Sequence, residues 1–233
     1  MQADAGWGMI LPPPQPAQPA MDQQPPQAQQ PQEAEKKPEP KVKEKFQGYG
    51  DDKTDISDPT QLRDWLPIGA SILLVLALLV LSFRYMEFWG KSVNNWYNTF
   101  GLSAVMLDIG FVGLVFAVGR WLYTKYIRPR MDGEWSTPAF MGTLVGVQVA
   151  HHFLFNHLVL RMFPVGENAM LDLMRAHANN EPLKALTGHS TTLVAGSALV
   201  AAAMKAAPTS IQVGAGLLGL YALPYALTTR EKF

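Results

Sequence analysis

The sequence contains no cysteine. This absence excludes disulfide bonds, thiolate zinc sites, iron–sulfur clusters and a cysteine nucleophile. The 19 basic and 19 acidic side chains balance each other, and they form no basic stripe of the kind that binds nucleic acid. The phosphate-binding lysine loop, the GxSxG serine motif and the HExxH zinc motif are also missing. We therefore expect no nucleic-acid partner, no cofactor and no catalytic residue of these classes.

A cleavable signal peptide is not expected either. Residues 1–32 lack a basic region followed by an apolar stretch of about 7–15 residues. The first long apolar run begins near Pro67, and it is long enough to act as its own membrane-targeting signal.

Residues 1–60 are predicted to form a disordered arm, because they hold most of the prolines and glutamines of the chain. Within the arm, residues 33–45 alternate lysine with glutamate and proline. We interpret this stretch as a solvated tether. The alternatives are an arm that docks on a protein partner and a contact with anionic lipid, although the mixed charges argue against a strong lipid patch.

Residues 61–233 are predicted to form an all-α, polytopic transmembrane helix bundle, since about 20 apolar residues cross roughly 30 Å of hydrocarbon. The spans are expected at about 67–85, 100–123, 138–162, 191–207 and 211–227. The last two are less apolar and are separated by a short turn at Pro208, which also fits a re-entrant hairpin and four spans. Pro224 predicts a kink in the last span.

A further helix is predicted outside the spans, at about residues 168–179. Its residues Met170, Leu171, Met174 and Ala178 share one face, as in helices that lie along the membrane surface. Lysine and arginine are more numerous in the arm and in the loop after the second span than on the other side. This bias predicts a cytoplasmic N-terminus and a C-terminus on the opposite side.

Polar residues interrupt the second and third spans. They are Asp108, Gln148, His151, His152 and Asn156. A carboxylate at membrane depth costs on the order of 2.5–3.5 kcal/mol, so Asp108 is expected to face the bundle. At 100° per residue, Gln148, His151 and His152 share one helix face, and His157 points away from it.

Three interpretations of these polar residues stay open. They fix the packing of the two spans by hydrogen bonds, they form a proton or ion path, or they bind a metal. A metal is the weakest of the three, because HHFLFNH lacks the repeated HxxxH and HxxHH clusters of membrane di-iron hydroxylases. His177 and His189 are isolated in the sequence and are predicted at the surface.

Small residues recur in the spans. Gly142 and Gly146 form a GxxxG motif, and Gly110 and Gly113 add to the pattern. Small residues let helix backbones approach closely. The pattern predicts close helix packing, either within the chain or between copies of it.

Four segments occur in a recognisable order: WYNTFGLSAVMLDIG (96–110), GVQVAHHFLFNHLV (146–159), FPVGENAMLDLMRAHA (163–178) and LYALPYAL (220–227). Over residues 94–228 they resemble an integral membrane family of large nucleocytoplasmic DNA viruses, the giant viruses and their algal-virus relatives. That family reads approximately YNTxGLxAxxxD, QxxHDxxF, PxGxNxxxDxxKxYAxE and LYxxPY. The matching positions include Asn98, Gly101, Gly166, Asn168, Asp172, Tyr221, Pro224 and Tyr225.

The resemblance has departures. His152 stands where the family has aspartate, Arg175 replaces its lysine, and His177 replaces its tyrosine. The missing aspartate puts a shared proton relay in doubt. The resemblance implies a structural or assembly protein in the internal membrane of a virion or in a host membrane where virions assemble. Its arm would reach the capsid or other viral membrane proteins. The alternative is a small transporter or channel that uses Asp108 and the histidines of the third span, and a membrane enzyme ranks third.

Overall fold

The computed structural model describes residues 53–86, 91–180 and 188–229. Within these ranges the regular structure is helical and contains no strand, which confirms the all-α prediction. Residues 1–52, and with them nearly all of the predicted disordered arm, lie outside the described residues. The helical domain can therefore be described by itself.

The helices follow one another along the chain with short connections. They are α1 (Trp65–Tyr85), α2 (Lys91–Phe100), α3 (Leu102–Leu122), α4 (Thr137–Leu154), α5 (Ala169–Asn180), α6 (His189–Lys205) and α7 (Thr209–Thr228). Helix α1 packs along most of its length against α6 and α7 and also contacts α3, so it lies at the centre of the bundle. Helix α5 confirms the helix predicted at 168–179.

Four helical segments of the described residues are long and apolar enough to cross a membrane: Leu62–Tyr85, Leu102–Met131, Thr137–Met162 and Thr209–Thr228. They agree with four of the five predicted spans and support a multi-pass membrane protein. Helix α6, the remaining predicted span, has only 17 residues. At 1.5 Å per residue it extends about 25 Å, less than the roughly 30 Å hydrocarbon core.

Helix α6 nevertheless runs from one end of the bundle to the other. At its start, the ring of His189 lies 6.0 Å from the ring of Phe83, near the end of α1. At its end, the Nζ atom of Lys205 lies 3.1 Å from Asp64 Oδ1, just before α1 begins. Helix α6 is therefore antiparallel to α1 over the full length of α1, unlike one arm of a short re-entrant hairpin.

Helix α7 returns beside α1 in the parallel direction. A Cβ on Gly216 would lie 3.4 Å from Ala70 in the first part of α1. The carbonyl of Leu227 accepts a 3.2 Å hydrogen bond from Arg84 Nη2 at the other end. The helix continues through Pro224 without interruption. Helix α7 ends beside the end of α1, far from the start of α1. The first and last residues of the described domain therefore lie at opposite ends of the bundle.

The second span begins at a break in the backbone. The backbone of Gly101 has φ +50°, a conformation that residues with a Cβ rarely adopt. Gly101 separates α2 from α3. The helix then continues past α3 through a π-helical turn at Tyr123–Ile127 and a 3₁₀ turn at Arg128–Met131. The span is therefore Leu102–Met131, longer than the predicted 100–123.

The third span begins and continues much as the sequence predicts. The Ser136 side chain accepts a hydrogen bond from the Ala139 amide at the first turn of α4, as an N-cap residue does. A π-helical turn at Phe155–Val159 follows α4, and one short helical turn then ends at Met162. π-Turns inside helices are frequent at functional sites, because they rotate the following side chains to a new face.

Residues 53–60, assigned to the arm by their composition, pack against the bundle. An ionic clamp holds them there; its members are Asp55, Asp64, Arg120, Arg128 and Lys205. Arg128 Nη1 lies 2.6 Å from Asp55 Oδ2, and both side chains are buried. Arg120 contacts Asp64 at 3.4 Å. The clamp marks the end of the bundle where α1 begins, and the folded domain starts before residue 60.

The glycines that allow close packing within the chain are not those of the GxxxG motif. A Cβ on Gly110, Gly113, Gly142 or Gly146 would meet no described atom within 4 Å. In contrast, a Cβ on Gly219 would lie 2.6 Å from the backbone of Leu73 and Leu74, and one on Gly119 would lie 2.3 Å from Leu144. These four glycines therefore do not mediate close helix packing inside the described domain. Their use in packing between copies of the chain stays a prediction.

Candidate functional site

A polar cavity lies in the half of the bundle opposite the ionic clamp. Its volume open to the centres of water molecules is about 110 Å³, which leaves room for several waters. Its walls come from α2, α3, α4, α5 and α6. The lining residues are Val93, Trp96, Asp108, Phe111, Val112, Gln148, His151, His152, Phe155, Asn156, Leu173, Met174, His177, Ala178, His189, Ser190 and Leu193.

The structure brings together the five polar residues singled out in the second and third spans, since all of them line this cavity. The prediction that His177 and His189 lie at the surface is wrong, because both also line this cavity. These two histidines are distant in sequence from the third span. Only the packing of α5 against α2, and of α6 against α3 and α4, brings them to this cavity, and no local pattern marks that approach.

Asp108 is the only acidic residue among those that line the cavity, and it is 7% exposed. Its Oδ2 atom accepts a 2.6 Å hydrogen bond from the hydroxyl of Tyr97. Its Oδ1 atom lies 3.8 Å from Nε2 of His189, which is too far for a good hydrogen bond. Burial, followed by the negative charge of Asp108, raises the pKa of Tyr97 well above its ordinary value. Tyr97 therefore stays protonated and continues to donate to Asp108.

The wall formed by α4 and its π-turn combines amides with imidazoles. Gln148 is buried, and the amide of Asn156 donates a 2.8 Å hydrogen bond to Nε2 of His152. The ring of His151 lies edge-on to Phe111, with centroids 4.6 Å apart. His157, on the opposite helix face, is exposed, as the periodicity predicts.

Three polar atoms of the cavity lining are buried without a hydrogen-bond partner in the described chain: Nε1 of Trp96, Nδ1 of His151 and Nε2 of His189. Trp96 is 6% exposed. More than nine in ten buried polar groups in proteins have a partner, which is often an ordered water. These three atoms, together with the open oxygen of Asp108, therefore indicate a cavity that holds water or a polar ligand.

Helix α5 covers the cavity at the end opposite the clamp, and a compact loop holds its start. Gly166 has φ +95°, and its amide donates a 2.9 Å hydrogen bond to Asp172 Oδ2. The Asn168 side chain accepts hydrogen bonds from the amides of Met170 and Leu171, which caps the helix. These contacts give three of the positions in the viral resemblance a local structural role.

Arg175 fastens this cover to the end of the third span. Its Nη1 atom lies 2.8 Å from Asp172, and its Nη2 atom donates to the carbonyls of Leu160 and Phe163. An arginine can reach several acceptors at once through its planar fork of donors. The cover is thus tied to the same span that carries His151 and His152.

Other positions of the resemblance lie outside the cavity. Asn98 accepts a hydrogen bond from the buried Arg84, which connects α1 to α2. Tyr221, Pro224 and Tyr225 lie on an exposed face of α7, where the two tyrosine hydroxyls are 2.9 Å apart. The segment Trp96–Gly110 differs, because it supplies both Tyr97 and Asp108.

An apolar layer closes the cavity on the side of the clamp. Between Asp108 and Arg120, the buried face of α3 carries Val112, Val115 and Phe116. Packed apolar side chains of this kind exclude water and ions. In this conformation the polar cavity and the ionic clamp are separate.

Metal ligation can be examined on the same residues. No group of three histidine or carboxylate side chains among residues 53–86, 91–180 and 188–229 is placed to hold a metal ion.

Comparison with known proteins gives no relative from which a function could be carried over. No family model, no curated protein and no solved structure matches the chain.

Proposed function

We propose that the chain is a multi-pass membrane protein that moves protons or a small polar solute through the polar cavity, as a small transporter or channel. The observation that carries this proposal is Asp108, a buried carboxylate with one open oxygen inside a cavity with room for water. Ionisable groups at membrane depth are costly, and they commonly mark ion paths and proton relays.

The surroundings of Asp108 support proton exchange. Tyr97 on α2 donates to one oxygen, and His189 on α6 stands 3.8 Å from the other. His151 and His152 on α4 and His177 on α5 face the same cavity. Histidine is the side chain whose ordinary pKa lies nearest neutral pH, so a group of four can pass protons to and from the carboxylate.

Reconstituted proteoliposomes with an internal pH indicator test the proposal. We expect an imposed pH or solute gradient to dissipate faster with the protein than in empty liposomes. Asp108→Asn and His151→Ala are expected to remove this flux while the protein still folds, because each removes a side chain of the cavity lining that can exchange a proton. His157→Ala is the matched control, since His157 lies on the same span outside the cavity. Equal flux through the Asp108→Asn variant would contradict the proposal.

A second proposal is a structural or assembly role in the membrane of a large DNA virus, either inside the virion or in the host. It is supported by the viral resemblance, of which Gly166, Asn168 and Asp172 shape a loop and do not line the cavity. On this proposal the arm, residues 1–52, faces the cytoplasm and reaches capsid or other viral membrane proteins.

Quantitative mass spectrometry of purified virions, with protease treatment before and after membrane lysis, tests the assembly role. Abundant copies whose arm becomes cleavable only after lysis are expected of a structural component. Absence from particles, with the protein present in the membranes of infected cells, would contradict the virion role and leave the transport proposal in place.

A further inference from the structure

We propose that the polar cavity binds a small protonated amine, a ligand with one positive charge and at least one N–H donor. This inference rests on the proposed transport function, because it names the solute class of the same cavity. Three independent properties of the lining carry it: its charge, its unused hydrogen-bond acceptors and its aromatic walls.

The charge of the lining favours a cation. Asp108 is the single carboxylate among the lining residues, and they include no lysine or arginine. Histidine is ordinarily neutral at pH 7.5, because its unperturbed pKa is about 6.5. The lining therefore holds one acidic side chain and no lysine or arginine to balance it, and a buried charge is stabilised by an opposite charge close to it.

The acceptors suit an ammonium group better than a proton alone. Oδ1 of Asp108 accepts no hydrogen bond from the described residues, with Nε2 of His189 at 3.8 Å, and Nδ1 of His151 is buried without a partner. A neutral imidazole nitrogen without a proton accepts hydrogen bonds, as a carboxylate does. An ammonium group carries up to three donors and can supply bonds to such atoms simultaneously.

The walls around these acceptors are aromatic. Trp96, Phe111 and Phe155 all line the cavity, and the rings of Phe111 and Phe155 stand 5.8 Å apart and nearly perpendicular. Aromatic faces attract cations within about 6 Å of the ring centre, more strongly where water is excluded. The hydrocarbon part of an amine also gains from these apolar surfaces. An anion would meet the charge of Asp108 and gain nothing from the ring faces.

The size of the cavity limits the ligand. A volume of about 110 Å³ open to water centres holds up to about ten water-sized groups, which the non-hydrogen atoms of a ligand and retained waters would share. Ethylammonium, with three such atoms, is therefore a suitable probe. A ligand this small is expected to bind with a Kd of about 1 mM or weaker. Trp96 Nε1 would then donate to a water that stays beside the amine.

Saturation-transfer NMR on the full chain in lipid nanodiscs at pH 7.5 tests the proposal. Ethylammonium, ethanol and propionate are compared, because with three, three and five non-hydrogen atoms all of them fit a volume of about 110 Å³, and they differ in charge. We expect saturation of ethylammonium, at least about 10-fold weaker binding of ethanol, and none of propionate. Ethanol or propionate binding as well as ethylammonium would overturn the proposal.

Variants connect the binding to the cavity. Asp108→Asn is expected to weaken ethylammonium binding by at least about 10-fold, since it removes a charged acceptor. Phe111→Leu keeps the carboxylate and removes one ring, so a loss of about 3- to 30-fold is expected. If Asp108→Asn fails to fold, Phe111→Leu carries the test alone. His157→Ala should bind like the unaltered chain, and binding that neither cavity variant changes would overturn the proposal.

The amine proposal and the proposed transport function can fail independently of each other. Proton flux that depends on Asp108, without ethylammonium binding, would overturn the amine proposal and leave a proton path. Ethylammonium binding that depends on Asp108, without flux of either species, would support the amine site and contradict transport. Absence of both would contradict both proposals.

Discussion

The hydroxyl of Tyr97 donates a 2.6 Å hydrogen bond to Oδ2 of Asp108, eleven residues further along the chain. The bond crosses the backbone break at Gly101, so it ties α2 to α3 at the edge of the polar cavity. Both residues belong to the segment WYNTFGLSAVMLDIG. The bond holds one oxygen of the carboxylate and leaves the other directed to His189 and the cavity.

Removal of this donor is expected to destabilise the protein. Tyr97→Phe keeps the buried ring and leaves a charged acceptor without its partner, which costs about 1.5–3 kcal/mol. Thermal unfolding in detergent measures the loss. Tyr126→Phe is the matched control, since Tyr126 is exposed. In an Asp108→Asn background the same substitution should cost less, because the acceptor is no longer charged; an equal cost in both backgrounds would show that the bond has no such energetic role.

The ionic clamp makes a second prediction. Arg128→Met is expected to cost about 3–5 kcal/mol, because it leaves Asp55 buried without its cation. It should also release residues 53–64, so that trypsin cleaves after Arg63 faster than in the unaltered chain. Arg130→Met is the control, because Arg130 lies two residues away and is exposed. Unchanged cleavage in Arg128→Met would contradict the role of the clamp in holding this segment.

The glycines divide into two classes with opposite expected effects. Gly219→Ala should destabilise the domain by about 1–3 kcal/mol, because the new Cβ would collide with the backbone of Leu73. Gly146→Ala should leave the monomer as stable or up to about 1 kcal/mol more stable, since its site is open and alanine favours helix. Thermal unfolding compares the two. Equal destabilisation would contradict the close approach of α7 to α1.

A second pair of glycine variants examines self-association. If the GxxxG motif of Gly142 and Gly146 joins copies of the chain, Gly146→Leu should lower the oligomeric state that is measured by single-molecule photobleaching in liposomes. Gly113→Leu serves as a comparison on the neighbouring span, where the glycine site is also open. A monomeric unaltered chain would exclude this use of the motif.

The cover of the cavity depends on one helix cap. Asn168→Ala removes the acceptor for the amides of Met170 and Leu171 and should cost about 0.5–2 kcal/mol. Hydrogen exchange of residues 169–180 is expected to increase, whereas exchange in α1 stays unchanged. Asn179→Ala, at the exposed end of the same helix, is the control. Faster exchange throughout the bundle would indicate a global loss of stability instead.

The sequence by itself determined the helical class, four of the long apolar segments and the helix outside them. Apolar runs and caps such as Ser136 are local signals, and they act over a few residues. The five polar residues of the second and third spans could also be selected from the sequence, because a polar group at membrane depth must face the bundle.

Only the tertiary structure decided what surrounds those residues. Asp108 contacts His189 and Tyr97, which lie far along the chain or across a break in the backbone. These contacts and the ion pairs of Arg128 and Lys205 depend on how α1, α3 and α6 pack. Composition placed residues 53–60 in the arm, yet buried ion pairs hold them on the bundle. The glycine spacing likewise pointed to positions that face open space in the structure. Close approach of two helices depends on the residues of both, so the sequence of one helix does not determine it.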